Sequence, residues 1–175
     1  MLMQMLHAGG IPMLSDAARP PDASNPRGYY ELERVKRLHR EADKSWLADG
    51  GGKAVKIISF FLASLPDIYT YQVIFMQRPL REILASQNRM LDDLAQERGE
   101  ATEDRLLQSY EDHLVSVLAL LASRPCFAAL RVDYRDVIGQ PVEEAVRIAR
   151  FLGRELDTFR MASVVETRLY RNRCD

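Results

Sequence analysis

Apolar residues recur along this chain with two different periods. From Met1 to Ala8 they hold helical spacing, and Gly9-Gly10 supplies the permissive stop common at helix C-termini. Between Tyr29 and Arg40, Leu32, Val35, Lys36 and His39 lie three or four apart, which predicts a second helix. Short β-branched runs behave differently. Ala54 to Ser59 (AVKIIS), Tyr71 to Gln77 (YQVIFMQ) and Ala128 to Tyr134 (AALRVDY) predict buried strands, with a short helix or loop over Phe60 to Thr70.

The longer helices follow these strands. Pro79 opens one at its first position, where the missing N–H costs nothing, and Leu80, Ile83, Leu84, Gln87, Leu91 and Leu94 share a face. Thr102 caps the next, whose stripe of Leu106, Leu107, Tyr110, Leu114, Val117, Leu118 and Leu121 runs to Ser123. Gln140-Pro141 starts another, with Glu143 and Glu144 in its first turn and Gly153 past its end. Alternating strands and helices predict an α/β architecture: one three-layer domain over residues 1–175, with a parallel sheet flanked by helices.

Composition narrows the partners. The 24 basic and 25 acidic residues leave a formal net charge of -1, so no bulk positive field would gather nucleic acid or an anionic membrane. An anion site must be local. Arginine outnumbers lysine 20 to 4, and its planar fork suits phosphate and sulfate, although codon usage alone accounts for such a bias. Two cysteines, Cys126 and Cys174, do not frame a disulfide scaffold, so a reducing, cytoplasmic setting fits at least as well as an oxidising one. The most apolar stretch, Ile57 to Leu65, is far shorter than the roughly 20 residues of a membrane span, and Met1 to Leu6 has no basic n-region of a signal peptide.

Most motif candidates fail on context. Gly50-Gly51-Gly52-Lys53 precedes a strand and lacks the hydroxyl residue after the lysine, so it is no phosphate loop. His7, His39 and His113 have no metal-ligand spacing, and no Ser, His and acid set carries a local signature. The segment VIFMQRPLREILASQNRM (Val73 to Met90) is more informative. Arg78 sits at the carboxyl end of a strand, the edge where open α/β sheets bind ligands, and Ser86 falls about two turns along the following helix. Two readings stay open on these residues alone: Arg78 and Ser86 grip a phosphate from one side of the helix, or Arg78 pairs with Glu82 and Ser86 is a small contact residue.

Arg-Pro followed by Ser eight residues after the Arg resembles the 3'-phosphate motif of sulfotransferases that use 3'-phosphoadenosine-5'-phosphosulfate (PAPS). NPRGYYE (Asn25 to Glu31), AVKII (Ala54 to Ile58), VDYRDVIGQP (Val132 to Pro141), IARFLG (Ile148 to Gly153) and LYRNR (Leu169 to Arg173) extend the resemblance, in order, to the P-loop-type sulfotransferase family. The resemblance implies a P-loop NTPase-like sulfotransferase fold and sulfonate transfer from PAPS to a hydroxyl or amine of a small-molecule or carbohydrate acceptor, leaving adenosine 3',5'-bisphosphate, with no metal.

By the same resemblance Arg78 and Ser86 hold the 3'-phosphate, Arg171 and Arg173 close over the nucleotide, Glu31 is the general base, and Lys56 contacts the sulfonate. The residues themselves allow plainer roles: Glu31 pairing with Arg34 or Arg27, Lys56 reaching solvent, and an exposed basic tail at Arg171 and Arg173. The family's first strand and phosphosulfate loop, of the form PRSGTS, have no counterpart; MLMQML (Met1 to Leu6) resembles the helix that would follow them. An incomplete N-terminus is therefore expected, and with it impaired turnover, because preorganised donors to the developing charge carry such catalysis. Two alternatives accompany this reading. One is a non-catalytic remnant that binds nucleotide or protein, with self-association through an exposed sheet edge. The other is a different P-loop-like transferase such as a nucleotide kinase.

Overall fold

The structure, a computed structural model, describes residues 1–16, 28–84 and 102–166. Helix α1 (Leu2–Ala8) is followed by 3-10 turns at Glu33–Arg37, Ser45–Gly50 and Ser59–Ser64, and then by strand β1 (Tyr71–Gln77). Helix α2 starts directly after β1 and is described over residues 80–84. Helix α3 (Glu103–Ser123), strand β2 (Phe127–Asp133) and helices α4 (Tyr134–Gly139), α5 (Pro141–Leu152) and α6 (Thr158–Ser163) complete the order.

Strands β1 and β2 pair in parallel, from Tyr71 opposite Phe127 to Gln77 opposite Asp133, with α3 in the crossover between them. Alternate β1 side chains then face opposite ways. Tyr71, Val73 and Phe75 pack on a cluster containing Val117 and Leu121 of α3, Phe127, and Trp46 and Leu62 from the 3-10 turns. Ile74 and Met76 pack on the other, built from Met5 and Leu6 of α1, Val132, Val137, Ile148 and Met161. A sheet apolar on both faces is the α/β arrangement, and among the described residues it has two strands.

Helix boundaries follow local chemistry. Asp133 caps α4 by accepting the Arg135 N–H at 2.7 Å, so the strand expected to reach Tyr134 ends one residue sooner. Pro141 opens α5 and Gly153, at φ +63°, closes it. Thr102 stands at the N-terminus of α3, but its side chain makes no capping hydrogen bond.

Two expectations are corrected. Ala54 to Ser59 is not a strand. Ala54 forms one parallel bridge with Met13, bonding Pro12 and Leu14, and no backbone hydrogen bond joins Val55, Lys56 or Ile57 to any described segment. β-branched composition is present there without a ladder partner. Tyr29 to Arg40 holds only the 3-10 turn at Glu33–Arg37, and the chain entering it is bent at Gly28 (φ +82°) and Tyr30 (φ +50°), which keeps Tyr30 out of any helix. Its end is tied down by Glu41, which accepts from both Arg34 Nε and Trp46 Nε1 at 3.1 Å.

Candidate functional site

At the carboxyl ends of the two strands, three charged side chains converge. Arg78 follows β1 immediately, Arg135 is the second residue of α4 after β2, and Glu82 lies between them on α2. Glu82 is fully buried. Its Oε2 accepts from Arg78 Nε at 3.0 Å and its Oε1 from Arg135 Nη2 at 2.7 Å. Two guanidiniums meet one carboxylate at this edge, and burial makes a fixed pairing obligatory for the carboxylate. The Arg78 guanidinium also lies over the Tyr134 ring, 4.8 Å from its centroid. Burial pushes the Tyr134 hydroxyl pKa above its ordinary value, with Arg78 opposing the shift and Glu82 adding to it.

Arg78 therefore occupies the expected place in the fold and is engaged by Glu82, the partner allowed by the plainer reading. Ser86, Arg171 and Arg173 lie outside the described residues. Arg135 and Tyr134 are additions. Arg135 stands to β2 much as Arg78 stands to β1, a correspondence visible in sequence only once both strand ends are fixed.

Glu31 and Lys56, 25 residues apart in sequence, are brought together: Lys56 Nζ donates to Glu31 Oε1 at 3.2 Å. Lys36 Nζ stands 3.9 Å from Glu31 Oε2, so the carboxylate is held between two lysines, and Arg34 bonds Glu41 instead. Lys56 also faces the Tyr29 ring at 5.8 Å.

Lys56 lines a groove of about 1170 Å³, bounded by residues 54–60 on one side and 71–76 on the other. Farther along its wall Ser59 Oγ meets His113 Nε2 at 2.9 Å, and Phe60 stacks on the imidazole at 3.8 Å. No carboxylate is hydrogen-bonded to His113 among the described residues, so the pair lacks the orienting member of a nucleophilic triad. These residues are 54 positions apart, beyond any local motif. Burial raises the pKa of the free Cys126 thiol, which suits a packing role rather than nucleophilic attack.

Among the described residues no group of His, Cys, Asp and Glu could hold a metal ion, and no helix is long and apolar enough to cross a membrane. What the geometry provides is an arginine-rich anchor at the carboxyl edge of a parallel pair, a lysine-flanked carboxylate, and a long groove with cationic side chains in its wall. Comparison with protein-family models, curated proteins and solved structures finds no match to this chain.

Proposed function

We propose that the chain is a sulfotransferase-like nucleotide-binding domain of the P-loop-type fold, holding the 3'-phosphate of PAPS or of adenosine 3',5'-bisphosphate at the carboxyl edge of its sheet. One observation carries the reading: Arg78 is fixed where β1 turns into α2, with Arg135 beside it and Glu82 orienting both. Glu82 lowers the entropy of ordering Arg78, and Arg135 adds a second guanidinium beside it. Ser86 would supply a hydroxyl from α2 and Arg171 and Arg173 would cover the nucleotide.

In a transfer reaction Glu31 would take the proton of the acceptor hydroxyl or amine while Lys56 faced the sulfonate oxygens. Turnover by these 175 residues alone is outside the proposal, because no PRSGTS-type segment is among them.

Calorimetry with adenosine 3',5'-bisphosphate tests the reading. Arg78→Lys keeps a cation opposite Glu82 but removes the fork, and is expected to weaken binding roughly tenfold, as befits one charge-assisted hydrogen bond. Binding of adenosine 5'-monophosphate, which lacks the 3'-phosphate, should not change. Equal bisphosphate affinity in both proteins overturns the assignment.

A further inference from the structure

Ser59 and Phe60, consecutive in the chain, hold His113 in two ways. Ser59 Oγ lies 2.9 Å from His113 Nε2, and the Phe60 ring stacks on the imidazole with centroids 3.8 Å apart and planes within 12° of parallel. The stack fixes the plane of the imidazole, and the hydrogen bond sets which edge of it faces the serine. Ser59 opens the 3-10 turn at Ser59–Ser64, and His113 lies in the middle of α3. Val117, one turn beyond His113, is buried in the same cluster as Leu62 of that turn, so the pair is carried on two elements packed against each other.

Its hydrogen bond sets this serine apart. Ser116, Ser123 and Ser163 give their hydroxyl protons to carbonyls three or four residues back, those of Asp112, Leu120 and Arg160. Ser59 is the first residue of its turn, so no helical carbonyl precedes it, and its hydroxyl meets the imidazole instead. His113 differs in the same way from His39, whose Nε2 accepts from Arg40 Nε at 2.9 Å. In the tautomer protonated on Nδ1, His113 Nε2 is the acceptor and Ser59 Oγ the donor, which is the arrangement of a nucleophile beside its base.

We infer that Ser59 and His113 form a nucleophilic dyad that cleaves aryl esters. Ser59 Oγ attacks the ester carbonyl as its proton passes to His113 Nε2; the Oγ–C bond forms, the C–O bond to the aryl group breaks, and the departing phenolate takes that proton. Water then attacks the acyl carbonyl and gives a proton to Nε2; the acyl–Oγ bond breaks, the proton returns to Oγ, and the carboxylic acid leaves.

The class of ester follows from what the dyad lacks and from what surrounds it. No carboxylate is hydrogen-bonded to His113 among the described residues, so the imidazolium formed during attack gains no such partner, and the reaction is confined to esters with a stable leaving anion such as a phenolate. Ser59 and His113 are both partly exposed. Phe60, 62% exposed, lines the groove with them, as do Tyr110 and Leu114 of α3, which gives the leaving aryl ring an aromatic and aliphatic surface. Neither the nucleotide site nor the space between β1 and residues 54–58 has a part in this chemistry.

An alkyl fluorophosphonate, which reacts with serines activated by a neighbouring base and loses fluoride, is the first probe. After incubation with the full chain, peptide mapping by mass spectrometry is expected to place the adduct on Ser59. Ser59→Ala should abolish labelling, and His113→Phe, which keeps a ring against Phe60 but removes the base, should slow it on the order of 100-fold. The chain should also hydrolyse 4-nitrophenyl acetate, and each variant should lower that rate at least tenfold while its circular dichroism spectrum stays unchanged. An adduct on another residue, no adduct, or labelling of His113→Phe at the parental rate overturns the proposal. Ester hydrolysis by Ser59→Ala at the parental rate, with the acetyl group found on His113, also overturns it, because the imidazole is then the nucleophile. Arg78→Lys should leave labelling unchanged, so the dyad and the nucleotide reading stand or fall separately.

Discussion

Glu82 Oε1 accepts a hydrogen bond from Arg135 Nη2 at 2.7 Å, joining the helix after one strand to the helix after the other. The carboxylate has no solvent exposure, whereas the Arg135 side chain is about half exposed (48%). The partners therefore differ in what their loss would cost.

Glu82→Gln should destabilise the protein by about 3 kcal/mol or more, since it leaves Arg78 and Arg135 around a neutral group in a buried place. Arg135→Ala should cost clearly less, because water reaches that side. Urea unfolding of the three proteins checks the order; a Gln variant as stable as the Ala variant would show that the carboxylate charge is not what holds the strand ends.

Gly9→Ala should destabilise by about 1–3 kcal/mol. A Cβ at Gly9 would meet Met161 Cγ at 2.7 Å and Sδ at 2.8 Å, where α1 and α6 approach. Gly9 has φ -74°, open to any residue, so without that contact alanine would stabilise through the unfolded chain. The sign of the change in thermal midpoint decides between the two.

Glu144 gives a pH dependence. Burial raises its carboxyl pKa above the ordinary value of 4.5, Arg147 opposes the shift, and Asp136 and Asp133 add to it; one carboxylate oxygen has no partner. Between its unfolded and folded pKa values the native state binds more protons, so this group's contribution to stability falls as pH rises through that window and improves as pH drops. Glu144→Gln should remove the slope. Unfolding free energies above pH 4.5 should diverge in the variant's favour, and parallel curves would refute the assignment.

Arg124 anchors the loop before β1. Its Nη2 donates to Leu65 O at 2.6 Å, its Nε to Asp67 Oδ1 at 2.8 Å, and its guanidinium lies over Phe127. Arg124→Lys keeps the charge but cannot make these contacts together, so a loss of about 1–3 kcal/mol is expected, with faster amide exchange at Leu65. A lysine variant of parental stability would show that charge alone suffices.

The sequence was most legible where local and tertiary preferences coincide. YQVIFMQ is β1 at its predicted limits, and Pro141 and Gly153 bound α5 as their backbone geometry dictates. AVKIIS misled because strand composition requires a neighbour to become a ladder, and a neighbour is a tertiary fact. Arg78 could be placed at the sheet edge from its strand-to-helix junction, but its meeting with Arg135, across the crossover, could not. Glu31 beside Lys56 was legible as two candidates and not as a pair, since a loop of unpredictable path separates them.

Arg131 Nε donates to Gln77 Oε1, 54 positions away in the chain, and every rung of the β1 and β2 ladder spans a comparable distance. No hairpin can seed such a ladder; the whole crossover must close before its first rung forms. Refolding should therefore show α3 helicity early and strand protection late. During that interval β1 has two bare edges, so chaperone demand and aggregation at high concentration should track the rate of crossover closure rather than the equilibrium stability of the finished fold.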